Sequence, residues 1–533
     1  MADADVIVVG AGTAGGMVAE VLAGAGLRVI ILEAGPRIAR WQLVERFRNG
    51  NDRDDFMQPY PQAAHAPQGI GGDDDFLIQN GPDPYNTQYI RAVGGTTWHW
   101  AAACWRFLPN DFRLRSLYGV GRDWPISYDD LEPYYLEAEV KMGVAGPDPA
   151  QEDLGSPRSA PYPMPLLPWS YMDQRFGAVL NANDFGVVTE PVSRNSLTYD
   201  DRPACCGNNN CMPICPIAAQ YSGDMSVTKA ENLGAQLIEN AVAHHLETDS
   251  DGARIVAVHF KRPDGTEHRL TADRVVLAAH GIETPRLMLV SRSEAVPTGI
   301  GNASDQVGRY LMDHPGTGVT FLWGNRVYPG RGPQEMTSVV NFRDGDFRSE
   351  FAAKKLHLGN IADLEGVTDA AIDEGLKGPA LDARIRDRVA RKVSINSFHE
   401  QLPLQENRVL ISTDQTDPLG IPRPQINYRI EDYVRRSAAH TRETYARIAA
   451  LLGGTEVEFS DDFAGNNHIM GTTIMGDDPR NSVVDADCRT HQHPNLYIAG
   501  SSVFATGGSV NSTLTLNALA LRLAHHLVAQ TRE

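Results

Sequence analysis

An unbroken β-branched run, Val6-Ile7-Val8-Val9, opens the chain and predicts a short buried parallel strand. It leads through Gly10-Ala11-Gly12-Thr13-Ala14-Gly15 into an Ala/Val/Leu-rich pattern of helical spacing that runs to about Ala25. Arg28-Val29-Ile30-Ile31-Leu32 predicts a second strand, ending at Glu33. Far downstream, the strand-like Arg274-Val275-Val276-Leu277 precedes His280-Gly281-Ile282-Glu283-Thr284-Pro285, and residues from Asn495 onward read as strand, loop and terminal helix. The opening pattern is that of a dinucleotide site. Its glycines permit a tight turn, close approach to a pyrophosphate and close helix–strand packing. The helix N-terminus offers free amides to phosphate, and Glu33 can accept from a ribose. An acid there suits FAD or NAD and disfavours NADP. The expected fold class is α/β, with a Rossmann-like sheet.

Composition narrows the picture. A chain of 533 residues is too long for one simple core, so two or more units are expected. A net charge of −19 argues against nucleic acid as a partner, since such surfaces are basic. No apolar stretch approaches the roughly 20 residues that span a bilayer, and no secretory signal precedes the first strand. On its own the chain reads as cytoplasmic. Residues 146–168 carry seven prolines, which remove ladder donors, and read as a surface connection. Four of the six cysteines, Cys205, Cys206, Cys211 and Cys215, fall within eleven positions, whereas Cys104 and Cys488 stand alone.

Five segments, in order, carry a family resemblance: the opening glycine motif, the "GGTT" turn at Gly94-Gly95-Thr96-Thr97, "GIETPRLM", "VGRYLMDHP", and the paired "NNHIMGTTIMG" and "GSVNSTLT". Together they resemble the glucose–methanol–choline (GMC) oxidoreductases over almost the full length. Within that family, "CCGNNNCMPICP" and "GVGRDWPISYDDLEPYY" are most similar to the catalytic subunits of bacterial FAD-dependent sugar dehydrogenases, those of glucose first and fructose next.

The resemblance implies a GMC-type fold. It comprises a discontinuous FAD domain from 1–110, 200–310 and 470–533, and a substrate domain from 111–199 and 311–469 whose antiparallel sheet roofs the flavin. It implies cofactor contacts at Gly10, Gly12, Gly15, Glu33 and Gly94, and at Gly95, Thr96, His99 and Val242. Gly500, Ser501, Asn511 and Thr513 complete that set. Oxidising an alcohol needs a base for the hydroxyl proton and an acceptor for the hydride. By the resemblance the base is His468 and its orienting partner Asn511, which cannot titrate. Asn511 also suits a cap for the helix starting near Thr513. His99 is expected to shape the flavin site. Asp313 and His314 of "LMDHP" are expected to form a structural corner, and His491, His493, His525 and His526 to be structural or surface residues.

For the cysteine run three readings compete. A structural zinc site would use a Cys-x-x-Cys pair, which is absent. Disulfides stay open, though a protein of this size has little need of a staple. Cys211-x3-Cys215-Pro216 repeats the end of ferredoxin-type runs, and adjacent cysteines in extended chain point apart. The resemblance implies a 3Fe–4S cluster on Cys205, Cys211 and Cys215, with Cys206 spare. It also implies a sugar substrate oxidised at C1 to a lactone, a multihaem cytochrome c subunit as electron acceptor, and a small chaperone-like subunit bearing an export signal. The location so implied is the periplasmic face of the inner membrane. The same machinery acting on fructose, a polyol or a sugar acid is the nearer alternative. A flavin-dependent lyase and a purely electron-transferring flavoprotein are weaker ones.

Overall fold

A computed structural model describes residues 2–50, 55–71 and 76–532. The opening run becomes the strand Ala4–Val9, the middle member of a five-stranded parallel sheet. The order across this sheet is Leu496–Ile498, Ala272–Leu277, Ala4–Val9, Val29–Leu32 and Gln236–Ile238. Val6, Ile7 and Val8 expose nothing, as an unbroken apolar strand between covered faces must. The helix Thr13–Gly24 packs on the C-terminal helix Thr513–Arg532, and both contribute to the core around the sheet. Leu131, Tyr135, Ala138 and Met142 of the helix Tyr128–Met142 join the same core. That helix starts cleanly because the Ser127 hydroxyl accepts from the Asp130 amide while the Asp130 carboxylate returns to Ser127.

A six-stranded antiparallel sheet forms the second layer. Its order is Thr455–Phe459, Gly318–Leu322, Lys392–His399, Lys354–Gly359, Thr337–Val339 and Val187–Thr189. Helices Tyr171–Asn181 and Asp432–Leu451 cover one face through Met172, Phe176, Leu180, Tyr445 and Ile448. The strand Lys354–Gly359 is buried at all of its positions although it contains two lysines and a histidine. Buried charges need partners: Lys355 Nζ pairs with Glu190 at 2.7 Å on the cavity side, whereas Lys354, on the opposite face, donates to the Ser437 carbonyl of the helix Asp432–Leu451 at 3.2 Å.

The parallel sheet thus draws its strands from 4–32, 236–277 and 496–498, and the antiparallel sheet from 187–189 and 318–459. A smaller hairpin, Arg408–Thr416 with Pro422–Asn427, takes Ile78–Gln79 as a third strand and ties the two regions together. The proline-rich stretch holds one short pairing, Ala145–Gly146 with Met164–Pro165, and is otherwise irregular. No helix among the described residues is long and apolar enough to cross a membrane.

Two glycines explain how the first helix reaches the sheet. Gly10 sits at φ +109°, and a Cβ there would lie 2.4 Å from the Ala278 carbonyl oxygen. A Cβ on Gly15 would lie 2.0 Å from the Gly10 carbonyl oxygen, with backbone on the other side that cannot swing away. Gly15→Ala must therefore push helix from strand. The expected loss is about 1–3 kcal/mol, read as a lowered thermal midpoint with weakened flavin retention. An unchanged midpoint would contradict this packing.

Candidate active site

Between the two sheets lies a cavity of about 430 Å³. Gly10, Gly12 and Glu33 line one end, where the parallel sheet presents its glycine turn. The Glu33 carboxylate accepts from the amides of Ala11 and Gly35, both at 2.9 Å. Burial raises its pKa, and these amides act in the opposite direction. The second glycine turn rests on the first: the Gly94 amide donates to the Ala11 carbonyl at 2.8 Å. Gly95, Thr96, His99, Gly500, Ser501, Asn511 and Thr513 also line the cavity. Gly15 and Gly94 stand behind it as packing positions. The Val242 side chain packs in a small cluster with Ala66 and Ile421, and its neighbours Ala241 and Ala243 line the cavity.

At the other end four side chains from distant segments meet. His314 Nε2 lies 3.1 Å and 2.9 Å from the carbonyl oxygens of Gly507 and Gly508. Carbonyls only accept, so this nitrogen carries the proton. Burial holds the His314 pKa down to about 4, so the ring is neutral and its Nδ1 bears a lone pair. That Nδ1 is 2.8 Å from His468 Nδ1, which must therefore donate. His468 is left with an unprotonated Nε2, 3.4 Å from Asn511 Nδ2. Burial first, then His314 and Lys355, hold the His468 pKa well below its ordinary value. The expected structural corner is thus corrected. His314 is the hydrogen-bond partner that selects the His468 tautomer, while Asp313 accepts from the His468 amide at 2.9 Å and so fixes the backbone.

Asn511 is held from its other side. Its Oδ1 accepts from Lys355 Nζ at 3.0 Å, and Lys355 also donates to Glu190 at 2.7 Å. With the carbonyl oxygen engaged, the amide N–H group faces His468 and the cavity, so Asn511 offers a donor there. Helix Thr513–Arg532 begins after Ser512, leaving the Asn511 side chain to these two contacts instead of a cap. Lys355 and Phe398 are cross-strand partners, and the lysine lies 4.9 Å from the phenyl centroid. Lys355, His357, Phe398 and Glu335 were not recognisable from sequence. The signal that existed was Lys355 and His357 two apart on one strand, hence on one face.

The cysteine run forms a loop against this cavity. Met212 lines the cavity, and Gln220 donates both to the Cys211 carbonyl at 3.3 Å and to that of Trp100 at 2.7 Å. None of the six cysteines is joined in a disulfide. Cys211 and Cys215 are buried, Cys205 is half-buried and Cys206 is exposed. Burial raises the Cys205 pKa, and Cys211 and Cys215 add to the rise, which places those two within electrostatic reach of Cys205. Among the described residues no group of three or more His, Cys, Asp or Glu side chains is placed to hold a single metal ion.

Comparison with known proteins agrees with this arrangement. Two models described as GMC oxidoreductase match residues 4–316 and 403–520. The chain belongs to the GMC oxidoreductase family. It is therefore an FAD-dependent oxidoreductase acting on CH–OH donors. It is 48% identical to the fructose dehydrogenase large subunit of Gluconobacter japonicus, over 99% of this chain and 98% of that one. A 2-methyl-1,2-propanediol dehydrogenase of Mycolicibacterium austroafricanum is 26% identical over 98% of this chain and 95% of its own. In fold it is similar to pyridoxine 4-oxidase from Mesorbium loti (TM-score 0.66, 18% identity, 98% and 99% coverage). It is likewise similar to formate oxidase from Aspergillus oryzae (TM-score 0.68, 14% identity, 99% and 98%).

The residues present in this GMC oxidoreductase fit a flavin dinucleotide. A Cβ on Gly12 or Gly500 would meet no protein atom within 4 Å, so both glycines leave their space to a ligand. His99 Nε2 is buried at the cavity wall without a protein partner. Glu33 stands where a ribose acceptor belongs.

These buried histidines make a pH prediction. Burial lowers the pKa of His99, His280 and His314 to about 4 and that of His357 to about 3. Unfolded histidines titrate near 6.5, so below that pH the unfolded chain binds protons first. Their stabilising effect is complete above about pH 6.5 and is lost as pH falls towards 4. Glu335, raised to about 7 by burial and Glu190, acts in the opposite sense, as do Asp173, Asp224 and Asp313, which burial also raises. His399 and His468, held well below the ordinary value by burial, act with the four histidines. The thermal midpoint should fall as pH drops from about 6.5 to 4.5. A midpoint that rises on acidification would contradict the neutral-histidine arrangement.

Proposed function

We propose that this GMC oxidoreductase is the catalytic subunit of a sugar dehydrogenase. It would oxidise the C1 hydroxyl of glucose, or of a similar aldose, to a lactone. The observation that carries the mechanism is the unprotonated Nε2 of His468 beside the N–H group of Asn511. A substrate hydroxyl between them gives its proton to His468 Nε2 while its oxygen accepts from Asn511 Nδ2. His314 holds the base in the tautomer that can receive the proton. Lys355 keeps the Asn511 donor aimed, and the buried surroundings keep water from competing. Bound FAD, held by the glycine turns, Glu33 and the start of the helix Thr513–Arg532, supplies the hydride acceptor. The likeness to a fructose dehydrogenase large subunit supports a second reading, the same chemistry on fructose.

For the cysteine loop we assign Cys205, Cys211 and Cys215 as ligands of a 3Fe–4S cluster. Support comes from the electrostatic reach of Cys211 and Cys215 to Cys205, the exposure of Cys206, and the contact of Met212 with the cavity. Thiolates suit iron, and such a cluster supplies one-electron chemistry beside a two-electron flavin site. The partners assigned are a multihaem cytochrome c subunit that receives the electrons and a small chaperone-like subunit with an export signal, placing the enzyme on the periplasmic face of the inner membrane. The name of the fructose dehydrogenase relative, a large subunit, supports an assembly of several chains.

An anaerobic panel of glucose, fructose, polyols and a sugar acid, read by flavin bleaching and dye reduction, tests the substrate. Glucose bleaching fastest is the expected result. His468→Ala should keep its FAD and lose bleaching by about 10²–10⁴-fold, and a loss of less than about tenfold would overturn the base assignment. Cys211→Ser should lose iron–sulfur absorption and EPR signals and transfer to cytochrome, yet keep bleaching by sugar. Cys206→Ser should be far milder. Unimpaired cytochrome reduction in a cluster-free Cys211→Ser protein would mean that electrons leave by another route.

A further inference from the structure

Opposite the His468 and Asn511 pair, the cavity wall holds two polar groups that the oxidation chemistry does not use. Glu335 and His357 both line the cavity, and His357 Nε2 lies 3.5 Å from Glu335 Oε1. Their remaining atoms, Glu335 Oε2 and His357 Nδ1, are buried without any hydrogen-bond partner. An orphaned buried polar atom costs stability unless something fills it, and two of them side by side indicate a ligand with two hydrogen-bonding groups.

The pair is held rigidly. Gln334 and Met336, on either side of Glu335, accept through their carbonyls from the amides of Asn360 at 2.8 Å and Glu190 at 2.9 Å. The Gln334 side chain accepts from the Met212 amide at 2.7 Å, which fastens this segment to the cysteine loop. His357 is fixed by its strand, whose neighbours on either side are Ser338 and Asn396. Phe398 stands between the two ends of the site, its ring 4.8 Å from His357 and 5.0 Å from His468. A ligand over that phenyl ring can reach the base and this pair together. Burial and the Lys355 charge keep His357 neutral. Its Nδ1 is left in the cavity wall as a hydrogen-bonding atom without a protein partner.

We propose that Glu335 and His357 form a hydroxyl-binding subsite that hydrogen-bonds to ring hydroxyls neighbouring the one oxidised, and so restricts the enzyme to polyhydroxylated alcohols. This rests on the sugar reading above and adds to it the residues that recognise the rest of the substrate. A simple alcohol leaves both groups unpaired, and a site built for a hydroxyl rejects analogues that lack it.

The test uses the FAD-loaded enzyme and whichever of glucose or fructose bleaches it, together with deoxy analogues that each lack one hydroxyl. In the unaltered enzyme, one such deletion should lower bleaching efficiency roughly 10–100-fold, the worth of a hydrogen bond to a buried polar group. In Glu335→Gln or His357→Phe, efficiency with the parent sugar should fall by a similar factor, and the penalty for that same deletion should shrink to about threefold or less. Damage to the fold would instead lower parent and deoxy sugars alike and reduce FAD content. A deletion penalty that persists undiminished in variants retaining FAD would overturn the subsite. So would an unaltered enzyme indifferent to every single deletion, a result that needs no variant to fold. Failure of all sugars to bleach the unaltered flavin would instead overturn the sugar reading, and the subsite with it.

Discussion

The carbonyl oxygens of Gly507 and Gly508 can only accept hydrogen bonds, and both converge on His314 Nε2. From that constraint the protonation of the site follows in sequence. His314 must place its proton towards the carbonyls, so its Nδ1 must accept, so His468 Nδ1 must donate, and the His468 lone pair is left facing Asn511 and the cavity. An independent constraint arrives from the opposite direction. The Lys355 ammonium, buried with Glu190, occupies the Asn511 carbonyl oxygen and turns the amide N–H group inward. One nitrogen that accepts and one that donates then face the same point in the cavity. A hydroxyl that must lose its proton requires that arrangement.

Burial makes these orientations matter. In water each ring and amide could turn and find other partners. Inside the cavity every misplaced polar atom would lose hydration without replacement. The same burial keeps the histidines neutral, so the base needs no deprotonation before it acts. It also isolates polar atoms that have no protein partner, some of them in the cavity wall. His99 at the flavin turn and the Glu335–His357 pair are among these. The two sheets divide this labour. Strand ends and glycine turns of the parallel sheet make the nucleotide cradle, whereas side chains of the antiparallel sheet project into the substrate end.

The cysteine loop belongs to both layers. Its carbonyls are held from the flavin side by Arg40, Tyr60 and Gln220. Its amides and side chains are held from the substrate side by Gln334, Gly332 and Asn360. A loop rich in glycine and asparagine would wander if left alone. Fastened from both sides, it is held in one conformation beside the cavity.

Much of the nucleotide half was legible in the sequence because its determinants are local. A β-branched run, glycines at three fixed offsets and an acid closing the next strand specify strand, turn, helix and strand within thirty residues, and the structure has them all. His468 and Asn511 were legible only through the resemblance of their flanking motifs, since a histidine and an asparagine carry no local mark of function. The wall of the substrate end was not legible. Lys355 and His357 sit in "KKLHLG", which by itself reads as a partly polar strand. Glu335 sits in a loop, and "LMDHP" reads as a corner. For His314 and Lys355 the meaning depends on partners 150 or more residues away, His468 and Asn511. Sequence by itself determined which residues could bind, donate or accept. Tertiary structure decided which did, because burial removes water as an alternative partner and leaves each polar atom only the neighbours that the fold brings to it.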